Sequence, residues 1–302
     1  MPTPRTVREI RSLLVGPVCS LPTTFAADGS IDVAGVRRII DAGIEAGSTV
    51  SLLTAGDTQL VYLSDDEQAE LARLLVEQVA GRALTVAATR HTSTRQAVRF
   101  AHQCRELGVD MLMPTAWFYG ADAPDVDGLT RFYQRVAEVL PVMIVGFPPH
   151  AVLDALVDVP NVIAFKEDGS EGYAIRAVER YGERFAMNTG GTLWRHLTQW
   201  PYGCRTYFDC YTTFAPHVSR AYAAAVRADD IAAGRAVVER YDLPFFALND
   251  SWPGGIQAVW RGALALRGLA THHLPEPARS LSDDELTRLR DVLTAMDLLR
   301  EE

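Results

Sequence analysis

The sequence predicts an α/β protein with the (β/α)8 architecture of a TIM barrel, followed by a helical C-terminal extension. Short apolar segments alternate with helix-period segments from residue 16 to about residue 210. The apolar segments show no polar alternation, which is typical of parallel strands that are covered on both faces. No glycine-rich nucleotide-binding motif follows any of them, and eight such units in about 200 residues fit a closed barrel better than an open sheet.

The individual strands and helices have readable boundaries. Val36, Ile39 and Ile40 recur at helical spacing, and Ser64 with Glu67 forms a capping box at the start of the next helix. Each helix therefore separates two apolar segments of strand length. The predicted strands are 16–21, 49–54, 84–88, 111–115, 142–147, 162–166, 185–188 and 204–210.

The C-terminal third of the chain has a different pattern. From about residue 211 the strand signal stops, and helical segments rich in Ala, Arg and Leu continue to the end. Ser282 and Glu285 form a capping box ahead of the last of these segments. We therefore expect a barrel over residues 1–210 and a C-terminal helical region over residues 211–302.

The composition of the chain limits the kinds of molecule that the protein is expected to bind. The net charge of -9 argues against nucleic acid, because the phosphate backbone favours a basic face. No apolar run has the length of a membrane span, and the N-terminal segment lacks the apolar centre of a signal peptide. The 4 cysteines show no metal-site spacing, which favours buried thiols over disulfides or zinc. We expect a cytoplasmic protein that acts on a small molecule, without a membrane or nucleic-acid partner.

Lys166 is the only lysine in the chain, although Lys and Arg together number 29. It lies at the end of the predicted sixth strand, in the segment VIAFKEDG, and the carboxyl ends of barrel strands face the active-site mouth. Arginine stays charged, whereas an amine between apolar walls can lose its proton and attack a carbonyl carbon. The alternative is an ion pair with Glu167 or Asp168, a role that arginine would fill equally well. We predict that Lys166 is a nucleophile that forms a Schiff base.

Two motifs carry a resemblance to a known family. The segments TTF at 23–25 and DGSID at 28–32 are similar to its opening TPFxxDG motif, and AFKEDG at 164–169 is similar to its GIKExxG motif. The chain is identified as a diverged member of the dihydrodipicolinate synthase and N-acetylneuraminate lyase family. The resemblance implies a barrel with C-terminal helices, no cofactor, and a lysine that joins or splits 2-oxo acids through an imine. It also implies a homo-oligomer assembled as a dimer of dimers.

The chain departs from the family pattern at the positions that carry protons. The family's GTTGE segment reads AGDTQ at 55–59, so both relay threonines are absent, and Val145 aligns with the tyrosine that shuttles protons beside the imine. Tyr119 matches a second family tyrosine that reaches into a neighbouring subunit's site, and its alternative is a packed aromatic. Asp57 ends the second strand, where it is either a general acid or base or an ordinary turn residue.

The other candidates surround the same predicted mouth. His150 replaces an arginine that binds a distal carboxylate in the family, and it either contacts substrate or lies on a surface loop. Phe208 and Asp209 make the end of the eighth strand bulkier and more acidic, although Asp209 has the alternative of a cap residue. The predicted catalytic residues are Lys166, Tyr119, Asp57 and His150, and the predicted substrate-binding residues are Gly56, Thr58, Val145, Gly190, Phe208 and Asp209.

The expected activity is that of a Schiff-base lyase or aldolase. We expect carbon–carbon cleavage or condensation, or dehydration, of a 2-oxo acid such as pyruvate or a larger relative. As in the family, backbone N–H groups around Gly56 and Thr58 would hold the substrate carboxylate. An ionised Asp57 would repel that carboxylate, so we hypothesise a substrate whose hydroxyl or amine faces Asp57.

Two other interpretations of the function remain open from the sequence. A catalytically silent family member would bind a carbonyl metabolite as a sensor, which the valine at 145 favours and the retained Lys166 opposes. A metal-dependent aldolase on the same barrel is disfavoured, because the predicted strand ends lack a cluster of His, Asp and Glu ligands. We therefore expect no metal site.

Overall fold

The structure is a computed structural model that describes residues 5–90, 93–116 and 125–300. Within these residues, parallel strands close into a barrel in sequence order, with the last strand paired to the first. The predicted fold class is confirmed, and each observed strand lies within two residues of its predicted ends. The strands are β1 (Gly16–Ser20), β2 (Val50–Leu52), β3 (Leu84–Thr89), β4 (Met111–Pro114), β5 (Val142–Gly146), β6 (Val162–Glu167), β7 (Ala186–Thr189) and β8 (Thr206–Phe208).

Helices alternate with these strands and then continue beyond the last one. A π-helical turn at Val238–Asp242 joins two of the later helices. The helices are α1 (Val7–Leu13), α2 (Val33–Glu45), α3 (Asp65–Val79), α4 (Thr94–Leu107), α5 (Val126–Ala137), α6 (His150–Leu156), α7 (Glu171–Tyr181), α8 (Leu193–Gln199), α9 (Tyr211–Phe214), α10 (Pro216–Arg227), α11 (Ile231–Val237), α12 (Leu243–Ser251), α13 (Gly255–Leu266) and α14 (Asp283–Ala295). None of the helices in the described ranges is long and apolar enough to cross a bilayer.

Local sequence signals explain where the helices begin. At the start of α3, the Ser64 hydroxyl accepts a hydrogen bond from the Glu67 N–H, and the Glu67 carboxylate accepts one from the Ser64 N–H at 2.8 Å. Ser282 and Glu285 make the same reciprocal pair at the start of α14. Both predicted capping boxes are confirmed. They satisfy N–H groups that a helix start would otherwise leave without a partner.

The barrel core is formed by the apolar faces of helices packed on buried strands. In α2, the predicted face of Val36, Ile39 and Ile40 is buried. Gly43 of the same helix lies directly against Cys19 of β1, so closely that a Cβ at position 43 would stand 2.4 Å from the Cys19 sulfur. The side chain of glycine is a single hydrogen atom, and only glycine therefore allows α2 to approach β1 this closely.

The helices after β8 pack back onto the barrel. The short helix α9 contacts β1 and α2, and α13 packs against α9, α12 and α14. From α13 the fully buried Arg261 donates hydrogen bonds to the backbone oxygens of Thr23 and Asp57, at 2.9 and 2.7 Å. Since Asp57 follows β2, α13 lies over the carboxyl ends of the strands, the end of the barrel that we call the mouth. The domain boundary near residue 210 stays a prediction.

The close approach of α2 to β1 gives a test of the packing. We expect Gly43→Ala to lower the free energy of unfolding by about 1 to 3 kcal/mol, because the added methyl group overpacks a site that has no space for it. Gly172→Ala in α7 is the matched control, since a Cβ there meets only the end of Arg176 at 3.5 Å. That control is expected to gain about 0.5 kcal/mol. Urea denaturation of both variants measures the difference, and equal stabilities would contradict the packing described.

Candidate active site

A cavity of about 760 Å³ opens at the mouth of the barrel. Its walls come from the ends of many strands, with Ser20 from β1, Val145 from β5, Lys166 from β6 and Phe208 from β8. Residues of α12 and α13 line the side of the cavity opposite the barrel interior. A cavity of this size at the carboxyl ends of barrel strands is the usual place and scale of a ligand site.

Lys166 lies inside this cavity, with 13% of its side chain exposed. Its Nζ is 2.5 Å from Asp168 Oδ1 and 4.8 Å from the centre of the Phe208 ring. A Cβ at Gly190 would stand 1.9 Å from Asp168 Oδ1 and 2.8 Å from Nζ. The ion-pair partner considered from the sequence is thus present, but it faces the cavity together with the lysine.

Glu167, between these two residues, points to the other side of the strand. It is fully buried, and its carboxylate accepts hydrogen bonds from Arg195 at 2.9 Å and from Gln199 at 2.7 Å. Burial raises the pKa of Glu167, and the bonds from Gln199 and Arg195 oppose this rise. This buried network holds the end of β6 from the outer face of the barrel. The residues on either side of Glu167, Lys166 and Asp168, therefore project into the cavity.

Asp57 forms the polar corner of the cavity. Its carboxylate accepts hydrogen bonds from the Ser20 hydroxyl at 2.6 Å and from the Gln257 side-chain amide at 3.1 Å. Its own N–H donates to Thr54 Oγ1 at 2.9 Å. The loop closes on itself, because Thr58 Oγ1 accepts from the Thr54 N–H at 2.8 Å. Gly56 lines the cavity, whereas Thr58 is buried and braces the loop from below.

Arg261 supplies positive charge next to this acidic corner. Burial lowers the pKa of Arg261 to about 10, and the nearby Asp57 opposes that shift. Its guanidinium also donates to Gln257 Oε1 at 2.7 Å, one helical turn earlier on α13. The arginine therefore orients Gln257 toward Asp57 and holds the loop by its backbone oxygen.

Val145 faces the cavity directly beside Lys166, since the two are paired in register between β5 and β6. On the other side of β5, β4 pairs with it at Leu112 and Val142. Tyr133 of α5 reaches the cavity wall on this side. Burial raises the pKa of Tyr133, and a hydrogen bond from the backbone of Val145 opposes the rise.

Other predicted site residues lie away from the cavity. Asp209 is buried behind β8, where Oδ1 accepts from the Tyr211 N–H at 2.8 Å. Burial raises the pKa of Asp209 to about 6. His150 begins α6, and its ring stacks on Tyr173 and Tyr181 of α7, with centroids 4.9 and 5.8 Å apart. Burial and the nearby arginines lower the pKa of His150. The structure does not bring Asp209 or His150 to Lys166.

Tyr119, predicted as a catalytic residue that reaches a neighbouring site, lies outside the described residues. Its role and the assembly as a dimer of dimers stay predictions. Among residues 5–90, 93–116 and 125–300, no three His, Cys, Asp or Glu side chains converge in a way that could hold a metal ion.

The sequence profile of the dihydrodipicolinate synthetase family matches residues 14–296. The chain belongs to this family. A probable 5-dehydro-4-deoxyglucarate dehydratase 2 of Streptomyces coelicolor is 28% identical over 97% of this chain and 94% of its own length. A 4-hydroxy-tetrahydrodipicolinate synthase of Gluconacetobacter diazotrophicus is 27% identical over 95% of this chain and 99% of its own. The family to which the chain belongs consists of lyases and dehydratases.

Solved structures agree with the family's fold. YagE, an E. coli K12 prophage protein of the dihydrodipicolinic acid synthase family crystallised with pyruvate, has a TM-score of 0.81 at 22% identity and covers 95% of this chain and 99% of its own. An N-acetylneuraminate lyase from Mycoplasma synoviae has a TM-score of 0.84 at 17% identity, again over 95% and 99%. At this level of identity the likeness establishes the barrel with its C-terminal helices and nothing finer.

Several residues that line the cavity were not predicted from the sequence. Asp168 has a local signal, because a residue two positions after Lys166 on a strand points to the same face. Thr54 and Tyr133 also line the cavity, but neither has a charge or motif that marks it. Gln257 and Arg261 share a helix face by their i, i+4 spacing, yet nothing local shows that α13 lies over the mouth.

The raised pKa of Asp209 predicts a pH-dependent stability. The folded state binds the Asp209 proton more tightly than the unfolded chain, so stability is lost as the pH rises from about 4 to about 6. Asp209→Asn resembles the protonated acid and keeps an acceptor for the Tyr211 N–H. We expect its stability relative to wild type to increase by roughly 2 to 3 kcal/mol across that range.

Urea unfolding at pH 4, 5, 6 and 7 checks this expectation. Asp158→Asn serves as the control, because that side chain is 85% exposed and pairs with Arg184 outside the barrel. A stability difference between Asp209→Asn and wild type that does not change with pH would contradict the burial of a proton-binding carboxyl group at 209.

Proposed function

We propose that the protein is a Schiff-base lyase in which Lys166 captures a 2-oxo acid. The observation that carries the proposal is the location of the chain's single lysine, largely buried at the end of β6 within the barrel cavity. An imine on Nζ withdraws electrons from the bound substrate and stabilises the enamine that forms at its third carbon. That enamine is the common intermediate of carbon–carbon cleavage, condensation and dehydration.

The cavity supports a substrate larger than pyruvate. Its volume of about 760 Å³ lies within the range of drug-sized ligand sites, whereas pyruvate has only six non-hydrogen atoms. The 2-oxo group would bind at Lys166, and the rest of the substrate would extend toward Asp57 and Gln257. Among the reactions open to an enamine, the dehydratase relative that aligns over 97% of this chain supports dehydration.

The polar corner at Asp57 determines which substituents fit. Its carboxylate accepts hydrogen bonds from Ser20 and Gln257, and a substrate hydroxyl or amine would add a further donor. A substrate carboxylate would be repelled there, although the charge of Arg261 reduces the repulsion. The Asp57 N–H is already bonded to Thr54 Oγ1, so a carboxylate would have to bind other N–H groups of the loop around Gly56.

The valine at 145 favours a second candidate function, a catalytically silent protein that binds a carbonyl metabolite as a sensor. Valine has no proton to exchange, and it faces the cavity where the family resemblance implies a tyrosine. Against this candidate, a binding site would not require a primary amine at 166. Covalent trapping with a measurement of turnover separates the two functions.

Borohydride reduction in the presence of pyruvate, or of a hydroxylated 2-oxo acid, tests the Schiff base. We expect a stable adduct on the peptide that contains Lys166, detected by mass spectrometry. Lys166→Ala and Lys166→Arg are expected to lose turnover by about a thousandfold or more, because neither provides a primary amine.

The composition of the chain makes this trapping experiment specific. With one lysine in 302 residues, any side-chain amine adduct in wild type has to lie at position 166. Lys166→Arg is the matched control for adducts on the N-terminal amine. An adduct accompanied by turnover supports the lyase, whereas an absence of adducts with every 2-oxo acid tried favours the sensor.

Asp57→Asn tests the orientation of the substrate. We expect this variant to lose roughly 10-fold or more in kcat/KM for 2-oxo acids that carry a hydroxyl or amine, since a charged acceptor contributes about 1.5 to 3 kcal/mol. For pyruvate, which has neither group, we expect a smaller change or a gain. Steady-state kinetics over a panel of 2-oxo acids provides the comparison, and an equal effect on every substrate would rule out this role for Asp57.

A further inference from the structure

Imine formation needs a group that moves protons beside Lys166, and valine at 145 cannot be that group. We propose that Asp168 is the catalytic acid and base of this site, which carries protons from the Lys166 amine to the departing carbonyl oxygen of the substrate. This inference rests on the proposed Schiff-base function and names the residue that makes it possible.

The first support for this assignment is the direct contact between Asp168 and Lys166. Asp168 Oδ1 is 2.5 Å from Lys166 Nζ, which is direct hydrogen-bond contact with the reacting atom. About 35% of the Asp168 side chain is exposed, and the residue lines the same cavity as the lysine. The carboxylate therefore contacts the amine and faces the space in which a carbonyl carbon would be attacked.

The protein holds this carboxylate in place from both sides. The Asp168 N–H donates to the Gly146 oxygen of β5 at 3.0 Å, and Glu167 anchors the preceding residue on the outer face of the barrel. On the third side, Gly190 leaves the space that the pair occupies, because a Cβ there would overlap Asp168 Oδ1. An ion pair on a flexible surface would need none of these supports.

The proton transfers balance when they pass through this pair. Lys166 begins as an ammonium group and Asp168 as a carboxylate. The carboxylate takes one proton, the Nζ lone pair forms a bond to carbon C2 of the 2-oxo acid, and the carbonyl π electrons move to its oxygen. That oxygen then receives the proton from Asp168, followed by a second proton that Nζ releases to the same carboxylate. Water departs as the Nζ lone pair completes the C=N bond, which leaves an iminium ion and a regenerated carboxylate.

The starting ion pair does not prevent this reaction. Proton transfer from Nζ to Asp168 creates a neutral amine and a neutral acid, so the total charge of the pair is unchanged. When a substrate fills the cavity and displaces water, the apolar surroundings penalise two separated charges more than two neutral groups. Substrate binding therefore favours the nucleophilic form of Lys166. The Phe208 ring, 4.8 Å from Nζ, is part of that apolar wall.

Other titratable groups face the pair or lie behind it. Tyr133 of α5, Asp57 after β2 and Cys210 after β8 line the same cavity. Behind the strand, Glu167 and Arg195 bind each other and do not contact Nζ. Burial raises the pKa of the Cys210 thiol and of Tyr133, which keeps both protonated near neutral pH.

The pH dependence of adduct formation tests Asp168 directly. Wild type is mixed with pyruvate, samples are reduced with borohydride at successive times, and the modified fraction is measured by mass spectrometry from pH 5 to pH 10. We expect a bell-shaped rate profile in wild type, because the pair has to share one proton. Asp168→Asn is expected to react about 10- to 100-fold more slowly at pH 7, with a rate that only rises with pH, because no carboxylate is left to take the Nζ proton.

The controls separate this role from a structural one. Asp168→Glu keeps a carboxylate and is expected to restore the bell shape in part, whereas Asp158→Asn, at an exposed ion pair, is expected to match wild type. An unchanged rate in Asp168→Asn, or a lower rate with the wild-type profile shape, would overturn the assignment of Asp168 alone. Failure of wild type to form an adduct with any 2-oxo acid would instead overturn the Schiff-base function itself.

Discussion

The two-residue period of β6 is the constraint on which the site depends. It turns Lys166 and Asp168 into the cavity and turns Glu167, which lies between them, out of the barrel. Because Glu167 is fully buried, its carboxylate is tolerable only with the hydrogen bonds from Arg195 and Gln199. The outward network thereby fixes the rotation of the strand, and the position of the reactive amine follows from it.

The charges of the cavity are arranged around that amine. Two carboxylates, Asp57 and Asp168, line the cavity together with Lys166. Asp168 pairs with Lys166, whereas the Asp57 carboxylate is bound by Ser20 and Gln257. Arg261 of α13 lies behind the Asp57 corner, is wholly buried, and binds backbone oxygens of the loops after β1 and β2. The C-terminal helices therefore contribute to the chemistry of the mouth as well as covering it. A polar corner at one end and a protonatable pair at the other suit a substrate that has both a carbonyl group and a hydroxyl group.

The departures from the family pattern are connected in space. Val145 and Lys166 are register partners, so the position that lacks a tyrosine lies next to the lysine that would have used it. Asp168 directly follows β6, projects to the same inner side as Lys166 and contacts Nζ, although the family's tyrosine motif does not point to this position. A proton-carrying group at Asp168, in place of one at position 145, stays adjacent to the same nitrogen.

The barrel, its strands, its capping boxes and the end of β6 that faces the mouth could all be predicted from local sequence, because strand period, helix period and cap hydrogen bonds are set by neighbours within a few residues. The chemistry of the residues also pointed to Lys166. By contrast, the approach of Gln257 and Arg261 to Asp57 across 200 residues of chain, and the stacking of His150 on α7 outside the cavity, are visible only in the folded protein. Contacts of this kind depend on how whole helices pack on the barrel, and no local pattern of residues contains that information.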